Sequence, residues 1–94
     1  MRIVRAAVAG SLESSDALVK VAPNDELEVD IQSTVMGQYG DAITTVVNET
    51  LEKLGVTEGF VSVDDKGALD FAIRARVQGA VFRGSDEQPD WSRL

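Results

Sequence analysis

Leu27-Glu28-Val29-Asp30-Ile31-Gln32 alternates apolar and polar side chains without a break, the period of a β-strand with one face buried and one in water. From about Gln38 the period changes. Ile43, Val46, Val47, Leu51 and Leu54 recur at helical spacing, Asn48, Glu49, Glu52 and Lys53 occupy the other side, and Gly55 stands where a C-terminal cap belongs. A one-faced strand followed by a one-faced helix predicts an α+β domain in which helices cover one side of a sheet. Two starts fit the helix. A cap at Ser33 or Thr34 would place Gly37 and Gly40 inside it, whereas a start at Asp41 would leave them outside.

Toward the N-terminus, Ala6-Ala7-Val8-Ala9-Gly10 and Ala17-Leu18-Val19-Lys20-Val21-Ala22 read as short strands joined by Ser11-Leu12-Glu13-Ser14-Ser15-Asp16, a polar hairpin loop, and Pro23-Asn24-Asp25 turns the chain. Toward the C-terminus, a strand starting at Val56 or Phe60 runs to Val63 and ends at Asp64-Asp65. A second helix beginning within 66–68, capped by Asp65, is expected to bury Leu69, Ala72, Ile73, Val77, Ala80 and Val81. The order is strand, strand, strand, helix, strand, helix. A small, mainly antiparallel sheet with two helices packed on one face buries both apolar stripes and leaves Glu28 and Asp30 wet. Residues 1–84 form the domain, and residues 85–94, which include Trp91, read as a loose polar tail.

The chain has 94 residues, 9 Lys plus Arg against 16 Asp plus Glu for a net charge of −7, and neither Cys nor His. The two missing residue types exclude a disulfide, a Cys/His zinc site, a Cys-His nucleophilic pair and an imidazole general base. The acidic balance argues against nucleic acid and anionic membranes, both of which are bound through Lys and Arg. Residues 1–10 only imitate a signal peptide, because the apolar run is short and Glu13 and Asp16 follow at once. A cytoplasmic protein is expected.

Few side chains could carry chemistry. Asp64 and Asp65 are neighbours on a strand and point to opposite faces, so they read as a turn and a helix cap rather than a pair sharing a proton or metal. Asp25, Glu26, Glu28 and Asp30 lack the spacing of a calcium loop and read as a solvated face, so no metal site is expected. Gly10, Gly37, Gly40 and Gly67 match no phosphate-binding fingerprint. Arg74 and Arg76 lie on different sides of their helix. Arg76 falls toward the apolar stripe, where a guanidinium needs a partner. Ser11, Ser14 and Ser15 have no activating histidine, but an exposed hydroxyl on a hairpin tip can accept a group from another enzyme that brings its own base.

The run Ala7-Val8-Ala9-Gly10-Ser11-Leu12-Glu13-Ser14-Ser15-Asp16 closely resembles the modification segment of the citrate lyase acyl carrier protein family, the small gamma subunit of that complex. Tyr39-Gly40-Asp41-Ala42-Ile43 and Val63-Asp64-Asp65-Lys66-Gly67-Ala68-Leu69-Asp70, with Arg74-Ala75-Arg76 after it, are similar to further hallmark stretches of the family, in the same order. The resemblance implies that the serine in the Leu-Glu-Ser-X-Asp context, Ser14, bears a covalent 2'-(5''-phosphoribosyl)-3'-dephospho-coenzyme A. Ser15 offers a second hydroxyl and remains the alternative.

In the resembled family the carrier's thiol exchanges acetyl for citrate on the alpha (acyl transferase) subunit, and the beta (citryl lyase) subunit releases oxaloacetate. The resemblance therefore implies three partners: these two subunits and a prosthetic-group transferase. The chain would be a noncatalytic carrier, with Glu13, Asp16 and Arg76 expected at its docking surface. Two other readings stand beside it. One is a carrier of the same group for another acid, in a citramalate lyase or a malonate decarboxylase. The other is an interaction module that is never modified.

Overall fold

The computed structural model describes residues 1–86. The strands are β1 (Ala7–Gly10), β2 (Ala17–Ala22), β3 (Leu27–Ser33) and β4 (Gly59–Asp65), and the helices are α1 (Met36–Leu54) and α2 (Asp70–Gly84). Their order along the chain is the one expected. The strands form one sheet in the order β1-β2-β4-β3. β1 pairs antiparallel with β2 and β2 with β4, while β3 and β4 run parallel. The sheet is thus mainly antiparallel, and β4 is inserted between two strands that precede it.

The alternation of each strand decides which side chains the helices cover. Val19 and Val21 on β2 and Val61 and Val63 on β4 are buried and meet in register, Val19 opposite Val63 and Val21 opposite Val61. Val29 and Ile31 continue the same face on β3 and are half-buried, while Glu28 and Asp30 point into water. Charged side chains on this edge strand discourage pairing with another sheet. α2 packs on β1 and β2, and α1 packs on α2 and β3. Their stripes meet through Ile43, Val47 and Leu51 of α1 and Ile73, Val77 and Val81 of α2, all buried.

The helix boundaries differ from the periodicity in instructive ways. α1 starts at Met36, so Gly37 and Gly40 lie inside it, and Val35 occupies its N-cap without a side-chain cap bond. The Ser33 hydroxyl instead accepts the Val35 N–H at 3.0 Å and donates to Asp65 Oδ2 at 2.8 Å. Gly55 closes the helix as expected, in the left-handed region at φ 74°, where its N–H bonds to Glu52 O.

β4 continues through Asp64 and Asp65 rather than ending before them, and α2 starts at Asp70. Asp65 therefore lies too early to cap α2. Its carboxylate accepts the Gly67 and Ala68 N–H groups at 3.2 and 2.9 Å and shapes the turn that leads to the helix. Leu69, expected in the core, is 65% exposed because it precedes the first turn and falls off the stripe.

Ser85 and Asp86, read as the start of the tail, fold back onto the N-terminal residues. Ser85 is buried and bridges to Ile3, and Asp86 pairs with Arg2. Trp91 and the rest of the tail lie outside the described residues.

Candidate functional site

Residues 11–16 connect β1 to β2 at one end of the sheet. Gly10 opens the loop at φ 91°, and a Cβ there would stand 1.9 Å from the Ala17 carbonyl oxygen and 3.0 Å from Arg76 Cδ. Only glycine lets the two strands and the Arg76 stem approach this closely. Ser15 is the one described non-glycine residue with positive φ, at 68°.

Two backbone bonds hold the loop to the β4–α2 connection: the Ser15 N–H donates to Lys66 O at 2.8 Å, and the Lys66 N–H donates to Asp16 O at 2.9 Å. These tie the hairpin tip to a segment some fifty residues later in the chain. Asp65, fully buried, secures that segment in turn through Ser33, Gly67 and Ala68.

Asp16 is the hub of the loop. Arg76 Nε donates to its Oδ1 at 2.9 Å and Arg76 Nη2 to its Oδ2 at 3.1 Å, a bidentate pair across two elements. The Ser11 hydroxyl donates to Oδ2 at 2.7 Å, and the Ala17 N–H donates to Oδ1 at 2.7 Å. The Arg76 bonds, then those from Ser11 and Ala17, hold the Asp16 pKa down from 3.8 to about 2. The bidentate pair gives Arg76 the partner its position on α2 demanded.

The three serines are now distinguished by their surroundings. The Ser11 hydroxyl is committed, donating to Asp16 and accepting the Glu13 N–H at 3.2 Å. Ser14 and Ser15 are both exposed, and no hydrogen bond engages either hydroxyl among the described residues. The backbone of Ser15 is pinned by Lys66, while Ser14 lies between an exposed Glu13 and the pinned residue.

Leu12 is 54% exposed at the same tip and offers an apolar contact that the serine pattern did not bring to notice. Arg74 is exposed and does not join Arg76 at the loop. No group of three or more acidic side chains placed to hold a metal occurs among the described residues. No described helix is long and apolar enough to cross a membrane.

Reading from sequence missed the roles of Lys66 and Ser11 and the bond from Ser33 to Asp65. Lys66 acts through its main chain, which no side-chain pattern reports. Asp65 was read as a helix cap beside a turn, and its bonds to Gly67 and Ala68 keep the turn but not the cap.

Residues 4–84 match the acyl carrier family model described as malonate decarboxylase delta subunit (MdcD). In backbone shape the chain is similar to a chain of a Pseudomonas malonate decarboxylase hetero-tetramer, with a TM-score of 0.73 at 16% identity over 88% of this chain and 91% of that one, which is a likeness of fold.

Relatives named citrate lyase acyl carrier protein are far more similar in sequence. Those of Enterobacter sp. (strain 638) and Pectobacterium carotovorum subsp. carotovorum (strain PC1) are 58% and 59% identical, each over all of this chain and 99% and 100% of the relative. That of Haemophilus influenzae (strain PittGG) is 50% identical over all of this chain and 99% of its own. With likeness of this degree running end to end, the chain belongs to the citrate lyase acyl carrier protein family.

Proposed function

We propose that the protein is the acyl carrier subunit of a citrate lyase complex, with Ser14 as the attachment point of a phosphoribosyl dephospho-coenzyme A group. The observation that carries the site assignment is the contrast at the tip. Ser11 is consumed by Asp16, Ser15 is pinned through its main chain, and Ser14 presents an exposed hydroxyl with neither constraint. Such a position suits a hydroxyl that another enzyme must reach.

The donor set fits an attached group in a second way. No histidine exists in the chain to deprotonate the serine, and Asp16 is held by four hydrogen bonds. The base therefore belongs to the modifying transferase. As the Ser14 Oγ–phosphorus bond forms, the bond from phosphorus to the leaving group of a phosphoanhydride donor breaks, and the hydroxyl proton passes to that base. Once attached, the group supplies a thiol on a long arm to bear the acyl thioester.

This chain's own residues serve recognition and support. The Asp16–Arg76 pair and the Ser15–Lys66 bond hold the loop's base, leaving Glu13, Ser14 and Leu12 forward. With a net charge of −7, the carrier is drawn toward basic patches on the acyl transferase and citryl lyase subunits, its partners in the cytoplasm. Asp16 and Arg76 serve as positioning residues in this reading, and docking falls to Glu13 and Leu12.

Intact-mass measurement of protein made together with its modification enzymes tests the reading. The expected increment is one phosphoribosyl dephospho-coenzyme A, lost in Ser14→Ala and kept in Ser15→Ala. The reverse pattern would move the site to Ser15. An unmodified chain under those conditions would favour a noncatalytic interaction module. The match to the malonate decarboxylase model supports a second reading, the same carrier chemistry serving another acid. Reconstitution with citrate lyase subunits decides between them.

A further inference from the structure

Beside the modification loop lies a groove of about 610 Å³ between the start of α1 and the β4–α2 connection. Tyr39, Ala42 and Ile43 form one side, and Ala68, Leu69 and Phe71 the other, with Asp70 at the rim. Tyr39, Leu69 and Phe71 are 56%, 65% and 65% exposed, an unusual concentration of large apolar side chains on so acidic a surface. The groove adjoins the site through the backbone. Ser15 bonds to the carbonyl of Lys66, and Gly67, the next residue, already lines the groove.

We propose that this groove seats the adenine base of the group attached at Ser14. The proposal rests on the reading of Ser14 given above. In phosphoribosyl dephospho-coenzyme A the attachment end is the nucleotide end, so the base emerges next to the loop while the thiol lies at the far end of the pantetheine. A flat, apolar heterocycle matches a cleft bearing two aromatic rings, and stacking on aromatic side chains is the general way proteins hold unpaired bases. Asp70 supplies an acceptor at the rim for the exocyclic amine of adenine.

Covalent attachment removes the need for tight binding. A base tethered this close has an effective concentration on the order of millimolar, so weak stacking suffices to fill the groove. Seating the base shortens the free part of the arm to the diphosphate and pantetheine and leaves the thiol to swing. The wall from α1 can adapt, because Gly37 and Gly40 lie in its first turns, where glycine weakens a helix.

The test compares isotope-labelled unmodified and modified protein by NMR, after intact mass has established the modification state of each sample. The expected result is that amide signals of Tyr39, Ala42, Leu69 and Phe71 shift on modification, with nuclear Overhauser contacts from the adenine H2 and H8 protons to the Tyr39 or Phe71 ring. Phe71→Ala and Tyr39→Leu, both at exposed positions, should still gain the full mass increment and lose these contacts. A modified protein whose shifts are confined to residues 11–17 and Lys66 overturns the inference while sparing the assignment of Ser14. Shifts in the groove that arise only on adding a partner subunit also overturn it, in favour of protein docking. A chain that gains no mass overturns both readings, since the base then has no tether.

Discussion

Asp65→Asn exchanges one carboxylate oxygen for an NH2 group at the centre of the loop junction and leaves the side chain's shape intact. In the native protein Oδ1 accepts the Ala68 N–H at 2.9 Å, and Oδ2 accepts the Ser33 hydroxyl at 2.8 Å and the Gly67 N–H at 3.2 Å. The Ser33 oxygen already accepts the Val35 N–H, so its own proton is directed at Asp65. An amide placed with its nitrogen at the Oδ2 position would confront two donors. Turned the other way, it confronts only the Ala68 N–H.

The second orientation is therefore adopted, and it strands one backbone N–H and one side-chain donor in a site with no exposure. At about 1–3 kcal/mol for each unsatisfied buried group, with partial relaxation, the loss is about 2–4 kcal/mol. For a domain of this size each kcal/mol moves Tm by about 4–8 °C, so a fall of about 10 °C or more is expected. Calorimetry or a urea melt followed by circular dichroism measures it. Hydrogen exchange at the Ser15 amide, which bonds to the adjoining Lys66 carbonyl, should quicken as well. A variant melting within about 2 °C of the native protein, on the same scale, would refute the view that Asp65 secures this end of the fold.

Two further outcomes are expected. Asp16 should titrate near pH 2 rather than at the ordinary 3.8. Because its folded pKa is depressed, the stability it lends is fully present above the unfolded value and is lost as pH falls through about 2. Carboxyl-carbon NMR follows the titration, and in Arg76→Ala it should move back toward the usual range; an unmoved midpoint would deny Arg76 its leading part. Gly37→Ala should raise stability by about 0.5–1 kcal/mol, since its Cβ would meet nothing within 4 Å and the position is helical. A thermal melt that falls instead would place the start of α1 later than Met36.

What the residues disclosed and what they hid follows from the range of each interaction. The alternation from Leu27 and the helical spacing from Ile43 are local and appear directly as β3 and α1. The insertion of β4 between β2 and β3 was not legible. Alternating apolar residues say that a strand has a covered face but not which strands flank it. The turn at Pro23-Asn24-Asp25 invites a β2–β3 hairpin that does not form.

Leu69 was misplaced because the helix was expected to begin within 66–68, ahead of the true start of α2 at Asp70. At the site, a guanidinium facing the apolar stripe announced that Arg76 needed a partner. Nothing local could identify Asp16, sixty residues away, as that partner. Composition could not separate Ser11 from Ser14 and Ser15, because the difference lies in which hydroxyl a distant carboxylate engages. The family-like stretch pointed to Ser14, and the contacts supply a physical reason for setting Ser11 apart.

The place of β4 in the sheet also sets an order of events during folding. The β1–β2 hairpin can close early from neighbouring residues, but the inner edges of β2 and β3 stay unsatisfied until residues 59–65 arrive to fill the gap. Lys66 and Arg76, which steady the serine loop, come later still in the chain. A partly synthesised or partly unfolded chain thus carries the serine without its support. Completion of the sheet and support of the serine loop are therefore one event, reached only when the last strand and the second helix are in place.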